Sequence, residues 1–351
     1  MKMNKKIAIP TGFLVLVVSV SIMSLLFSSC MEKDPSLGTL PVPSFASVAL
    51  TPTSDSPMNM ALINTTPNPS IAFWNVSGIG SFKGDTAKVM FTYAGDYLVQ
   101  LKVIAHGGID SCTQVVTVPE NNPYAINPAS ILGILSGASI GREQRTWKAE
   151  RVVNSVVQWN NYISCLAQID GTMNGAPWAV GSADIAQGSA WEGYFDDQYT
   201  FTLELEGKFI YDDNNTVTLE GKVPLSAWKT ALPAPWNSFT GTTSSTDLFN
   251  LVPALKPWGS GNFTYSIANT GGGNFLGTIT VIGLGAHMGL QDKANNSNAV
   301  TPTATSVKYD ILRISTNLTD KNTGAPYDEI ILGVTTQTAR TVWAFMFRSD
   351  R

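Results

Sequence analysis

The chain has 351 residues, a formal net charge of −4 and only 14% charged residues, with 30 glycines and 19 prolines. A mildly acidic chain is a poor polyanion binder, which excludes nucleic acid and acidic lipid surfaces as expected partners. Frequent Gly and Pro, Thr-, Asn- and Ser-rich stretches between apolar runs, and no sustained helical periodicity past Cys30 predict a secreted all-β protein of about two domains.

The N-terminus opens with Lys2, Lys5 and Lys6, continues through an apolar run to Phe27, and reaches Ser28, Ser29 and Cys30. That order predicts a lipoprotein signal peptide over 1–29 and a lipid on Cys30. The run is also long enough to span a bilayer, so an uncleaved anchor is the alternative. The small-residue box Leu26-Phe27-Ser28-Ser29 directly before the cysteine favours cleavage, although lipoproteins more often have Leu where Phe27 stands. Several acyl chains on one terminus give the stable membrane attachment that one chain cannot. Cleavage removes three lysines and no acids, moving the formal charge from −4 to −7. Residues 30–43 form the lipidated tether, kept extended by Pro35, Gly38, Pro41 and Pro43. Its charged start, Met31-Glu32-Lys33-Asp34, resembles the acidic export tag of Gram-negative lipoproteins displayed outside the cell. The expected location is therefore the outer membrane, lipid-anchored and facing the exterior.

Residues 44–119 contain short β-type runs separated by turn signals. In the clearest, Tyr97, Val99, Leu101 and Val103 share one face while Leu98, Gln100 and Lys102 share the other, after the turn Ala94-Gly95-Asp96. A closing strand runs from Cys112 to Val118. Phe73-Trp74-Asn75-Val76 together with 91–103 resembles the polycystic-kidney-disease-type (PKD) repeat, a small immunoglobulin-like sandwich that generally acts as a spacer. Where that family follows its tryptophan with an Asp-rich Gly turn, this chain has Asn75-Val76-Ser77-Gly78. Pro123 and Pro128 mark 120–130 as an inter-domain linker. Cys112 and Cys165 fall on opposite sides of it and are expected to be two inert thiols, with an inter-domain disulfide as the alternative.

Residues 131–351 carry repeated β signals at 199–205, 217–219, 263–267, 277–282, 309–314, 330–335 and 341–347. So many strands predict two packed antiparallel sheets, a jelly-roll-like β-sandwich larger than the first domain, with apolar 343–347 as a core strand. This part is similar to the C-terminal domain of surface glycan-binding lipoproteins from polysaccharide-utilisation systems. The resemblance rests on Leu135-Ser136-Gly137 with Arg145-Thr146-Trp147, on 193–201 leading into 207–212, on Tyr309-Asp310-Ile311-Leu312 and on 343–347. It implies a glycan-binding domain without catalysis, working beside an importer and other glycan-binding proteins. In those relatives the paired tryptophans follow a compact glycine-rich stretch, whereas Trp178 and Trp191 are separated here.

Three patterns suggest other chemistry and are outweighed. Gly137-Ala138-Ser139-Ile140-Gly141 matches a nucleophile elbow, but nothing around it alternates strand and helix, and the segment reads as a flexible strand. Glu204 and Glu206 lie two apart on a predicted strand as glycosidase carboxylates can, yet Gly207-Lys208 interrupts the run and a solvated face is the better account. Asp196-Asp197 and Asp212-Asp213-Asn214-Asn215 are oxygen-rich and could hold a structural calcium, but neither has the spacing of a calcium loop, and solvated turns are preferred. With only His106 and His287, no transition-metal site and no other cofactor is expected.

Eight of the nine tryptophans follow residue 146, and five, Trp178, Trp191, Trp228, Trp236 and Trp258, fall between 178 and 258. Ala176-Pro177-Trp178, Ala234-Pro235-Trp236 and Pro257-Trp258-Gly259 predict rings in surface loops, where binding residues concentrate. An indole offers a flat apolar plate with one N–H donor, matching the C–H face and hydroxyl rim of a sugar. Trp178, Trp191, Trp236, Trp258 and Tyr194 are therefore the candidate glycan-binding residues, and a neutral polysaccharide or oligosaccharide the candidate partner. Trp228 is the weakest of the loop tryptophans, and Trp74, Trp147 and Trp343 are assigned to the core. The expected function is non-catalytic capture of polysaccharide for degradation and uptake. The rival readings are a structural or adhesive protein with a protein ligand, and then a glycoside hydrolase or lyase.

Overall fold

The computed structural model describes residues 38–151, 163–169, 172–179, 187–189, 191–219, 241–268, 276–291, 302–335 and 341–351. The expected signal peptide, Cys30, Trp228 and Trp236 lie outside the described residues. Among the described residues no helix is long and apolar enough to cross a membrane. The chain divides into two compact units, one of Met1–Ala46, Leu62–Ala87 and Leu98–Gln114, the other of Ser47–Ala61, Lys88–Tyr97 and Val115–Arg351.

The N-terminal strands are β1 (Phe45–Ala49), β2 (Met60–Asn64), β3 (Ile71–Val76), β4 (Gly80–Lys83), β5 (Thr86–Val89), β6 (Gly95–Ala105) and β7 (Gly108–Val118). They form a three-stranded sheet ordered β1-β2-β5 and a four-stranded sheet ordered β4-β3-β6-β7. The predicted alternation in β6 is present: Val99, Leu101 and Val103 are buried while Leu98, Gln100 and Lys102 are exposed. In the first unit Trp74 is buried on β3, meets the Phe45 ring edge-on and donates its indole N–H to the Gly84 carbonyl.

Within the second unit, the segment 120–130 is ordered and packed. Asn122 is fully buried, donates through Nδ2 to the Pro57 carbonyl at 2.7 Å, and its backbone N–H donates to Thr92. Its side-chain oxygen caps a 3-10 helix over Pro123–Ala125. Pro123 suits the first turn of that helix, where no backbone N–H is needed. A departure follows at 137–141: the expected flexible strand is a 3-10 turn over Ala138–Ile140, entered from helix α1 (Ile131–Ser136), which Ser130 caps and left-handed Gly137 ends.

The remaining strands are β8 (Gln144–Ala149), β9 (Ile163–Ile169), β10 (Thr172–Ala179), β11 (Gln198–Thr202), β12 (Lys208–Asp212), β13 (Thr216–Leu219), β14 (Gly241–Ser244), β15 (Gly261–Ala268), β16 (Thr278–Ile282), β17 (Ser306–Thr319), β18 (Pro326–Thr335) and β19 (Thr341–Asp350). Short helices α2 (Glu192–Asp196) and α3 (Ser245–Leu251) complete the set with a 3-10 helix over Pro253–Trp258. β8, β11, β12, β15, β16, β17, β18 and β19 pair in sequence order, and β19 returns to β8. The result is a closed antiparallel barrel in place of the expected jelly-roll-like sandwich. Period-2 alternation is common to both architectures. What decides between them is one seam between strands about 200 residues apart, where Phe347 pairs with Ala149 and Arg348 with Lys148. The first half of β19 pairs with β9 instead, so the β9–β10 hairpin extends the sheet beyond the barrel.

The barrel is filled by its own side chains, as an eight-stranded barrel can be. Trp147, Tyr199, Phe201, Phe209, Tyr211, Tyr309, Phe345 and Phe347 are buried in one cluster with Ile279, Val281, Ile330 and Leu332. Tyr199 stacks on Tyr211 at 5.4 Å and meets Phe347 edge-on at 5.2 Å.

Candidate functional site

Antiparallel order gives the barrel two unlike ends. β11 and β12, β15 and β16, and β17 and β18 are joined at one end, and α1 lies across it. There the Trp147 indole donates to the Leu135 carbonyl, and Arg145 donates to Ile134 O, Ser349 Oγ, Ser349 O and Asp328. The much longer connections 150–197, 213–260 and 283–305, with 336–340, all leave and re-enter at the other end. Every tryptophan between 178 and 258 belongs to these long connections.

Under that loop-bearing end the barrel is closed by the segment following β16. Ala286, His287, Met288 and Leu290 are buried in the mouth. Left-handed Gly285 passes so close to the Pro253–Trp258 helix that a Cβ would stand 1.7 Å from the Pro257 carbonyl. The Tyr309 hydroxyl accepts from Met288 N at 2.8 Å and donates to Met288 O at 3.0 Å, and Tyr199 accepts from Gly289 N. The strands thus hold the backbone of the plug through the hydroxyls of Tyr199 and Tyr309.

The plug rests on a buried polar layer. Asp197 accepts from the Tyr199 hydroxyl at 3.3 Å and from Tyr211, and Tyr211 is also bonded to Gln291. Burial pushes the Asp197 carboxyl well above the usual carboxylate range, against the lowering effect of the Tyr211 hydrogen bond. His287 donates from Nδ1 to Gly285 O at 2.8 Å, with the rings of Tyr211 and Trp258 against it at 4.6 and 5.4 Å. Burial lowers its pKa to about 4, so the ring is neutral. Asp213 accepts from Ser260 Oγ at 2.7 Å and Asn215 N at 3.0 Å, while Asn214 and Asn215 adopt left-handed backbone.

Several expectations change here. Trp258, expected on a surface loop, is 3% exposed, and the candidate glycan-binding residues Trp191 and Tyr194 are 1% and 3% exposed; all three belong to the core cluster. In this conformation they offer no plate to a sugar. Trp178 lies in β10, paired with Cys165 after a bulge, and not in a loop. Asp197 and Asp213 are buried turn organisers and not solvated. Among the described residues no group of three or more His, Cys, Asp or Glu is placed to hold a metal. Glu204 and Glu206 are exposed in the turn beyond β11, at the α1 end, and not on a strand. The void beside Asp197, lined by Tyr194, Thr216 and Gln291, measures about 10 Å³, the space of one water and far below a sugar ring. Ser139 sits in the 3-10 turn, and no histidine of the second unit lies near it, since His287 is in the mouth at the other end.

The missed feature is the plug at 285–291. Its only signal is Gly285 and Gly289 bracketing an apolar stretch with one histidine.

No protein-family model matches the chain, and no curated protein matches it in sequence. Among solved structures it is similar to the PKD1 domain of Vibrio anguillarum Epp, at 17% identity and a TM-score of 0.20, over 23% of this chain and 96% of that one.

Proposed function

We propose that this protein is a non-catalytic lipoprotein of the cell surface, anchored to the outer membrane through Cys30, that captures a neutral polysaccharide at the loop-bearing end of its barrel. What carries the reading is the polarity of the barrel: three long connections at one end, two of which contain the five clustered tryptophans in sequence, against short turns and a helix at the other. Loops set on a rigid scaffold are where binding residues concentrate. Because the interior is occupied by aromatic side chains, a ligand must be met on the outside of that end. Trp191, Tyr194 and Trp258 then support the platform from within, and stacking falls to Trp178 and Trp236. Residues 44–119, taken as an immunoglobulin-like PKD-type module, space the barrel from the membrane, beside an importer and its enzymes.

Affinity electrophoresis of the mature chain through gels containing β-glucan, xylan or mannan tests the reading. Retardation by at least one glycan, lost in Trp178→Ala with Trp236→Ala, is expected. If no neutral polysaccharide slows the protein, the glycan reading fails and a protein ligand takes its place; release of reducing sugar would instead make it an enzyme. Labelled palmitate incorporation, abolished by Cys30→Ala, tests the anchor separately.

A further inference from the structure

The α1 end is not fully closed. β17 carries two register shifts there, between Ile311 and Arg313 and between Ser315 and Leu318, and Asn317 is left-handed. Such bulges bend a strand away from its neighbours. Between the bent strand and α1 lies a recess of about 650 Å³, within the range of small-molecule sites. Its walls are aliphatic: Ile131 and Ile134 from α1, Ile314 from β17 and Leu276 ahead of β16. Among the described residues no aromatic side chain lines it.

The polar groups of the recess converge. Asp328, wholly buried, accepts from Arg145 Nη1 at 2.6 Å and from Asn317 N at 2.7 Å. Arg351 Nη1 stands 3.5 Å from the same carboxylate, so two guanidinium groups face one carboxylate and Arg351 is the looser of the two. Its side chain is 25% exposed. The Ser139 hydroxyl also lines the recess, is buried, and has no hydrogen-bond partner among the described residues. A buried hydroxyl without a partner costs stability that a ligand oxygen would recover.

We propose that this recess binds a small amphiphile with an aliphatic body and a carboxylate head, the body against Ile131, Ile134, Ile314 and Leu276 and the head between Arg351 and Ser139. The site lies at the opposite end of the barrel from the glycan platform and does not depend on that reading.

Isothermal titration of the full chain with submicellar decanoate tests it, with decanol as the headless comparator and Arg351→Gln and Leu276→Trp as variants. Leu276 is 53% exposed, so the larger ring fills the recess without disturbing the core, and melting curves check that both variants fold. Saturable decanoate binding is expected, weakened about tenfold or more in Arg351→Gln, as loss of a charge-assisted hydrogen bond implies, and abolished in Leu276→Trp. Decanol should bind more weakly and equally to wild type and Arg351→Gln. Absence of decanoate binding, or binding untouched by Leu276→Trp, overturns the proposal. Trp178→Ala with Trp236→Ala should leave decanoate affinity unchanged, which separates this site from the glycan reading.

Discussion

Replacing Arg145 by Met removes the cation that organises the α1 end while keeping most of its volume. Arg145 and Asp328 are both 0% exposed in their side chains and 2.6 Å apart. Burial alone lowers the Arg145 pKa, and the Asp328 hydrogen bond opposes this, so each ion is tolerated because of the other. Arg145 also donates to Ile134 O, Ser349 Oγ and Ser349 O and lies over the Trp147 ring at 4.8 Å. After Arg145→Met the buried carboxylate keeps only Asn317 N and the more distant Arg351, and breaking one side of such a pair costs about 3–5 kcal/mol. For a domain of this size that lowers Tm by roughly 6–20 °C. Arg145→Met with Asp328→Leu removes both ions and should regain more than half of the loss, since the penalty is an uncompensated buried charge. Urea denaturation followed by circular dichroism measures the whole cycle. A single variant losing under about 1 kcal/mol, or a double variant whose loss is the simple sum, would refute the claim that this pair is buried and coupled.

His287 gives a pH signature. Its pKa of about 4 in the folded chain lies below the ordinary 6.5, so as pH falls from 6.5 towards 4 the unfolded chain gains a proton that the folded chain refuses. Stability should therefore be unaffected above pH 6.5 and drop by up to roughly 3 kcal/mol on acidification to pH 4, and His287→Gln should flatten that limb of a urea-midpoint profile. Asp197 has the opposite sign: its raised pKa makes its contribution fade as pH rises through the folded value, so Asp197→Asn should gain on wild type towards alkaline pH. Gly285→Ala should lower Tm far more than Gly324→Ala: both are left-handed, but a Cβ meets the Pro257 carbonyl at Gly285 and nothing within 4 Å at Gly324. The second should cost only about 1–2 kcal/mol of backbone strain. Trp258→Ala should cost about 3–5 kcal/mol as a core truncation, without a direct effect on glycan affinity in protein that remains folded.

Much of the β architecture was legible because local alternation requires little tertiary information. The runs at 97–103, 309–314 and 341–347 are strands, and 343–347 reaches the core with Ala344, Phe345, Met346 and Phe347 buried. Closure was not legible. Whether β19 returns to β8 depends on two residue pairs across the length of the domain, and the residues involved, Ala149, Lys148, Phe347 and Arg348, are ordinary strand residues. The strand expected at 137–141 failed for a related reason. Proline and glycine mark departures from strand, but the same residues start and end the short helices at Pro123–Ala125 and Ile131–Ser136.

The tryptophans show where composition stops being a guide to exposure. Pro257-Trp258-Gly259 has the neighbours of a loop tip, and the chain there does leave the sheet. Yet Trp258 is buried because His287, 29 positions later, arrives edge-on against its ring from the plug. Trp191 is likewise drawn in against Tyr194 at 6.3 Å, at the start of a helix too short to show periodicity. A flanking proline fixes backbone direction and says nothing about what a remote segment lays over the ring. The same plug explains why the loop-bearing end can be both aromatic-rich and closed. With Ala286, His287, Met288 and Leu290 filling the mouth, the barrel has no interior left to offer there, and a ligand of that end meets its outer surface. On the proposed glycan reading, polymer length is the variable to change: affinity at the loop end should rise with oligosaccharide length and then saturate, whereas a site inside the mouth would favour the monosaccharide.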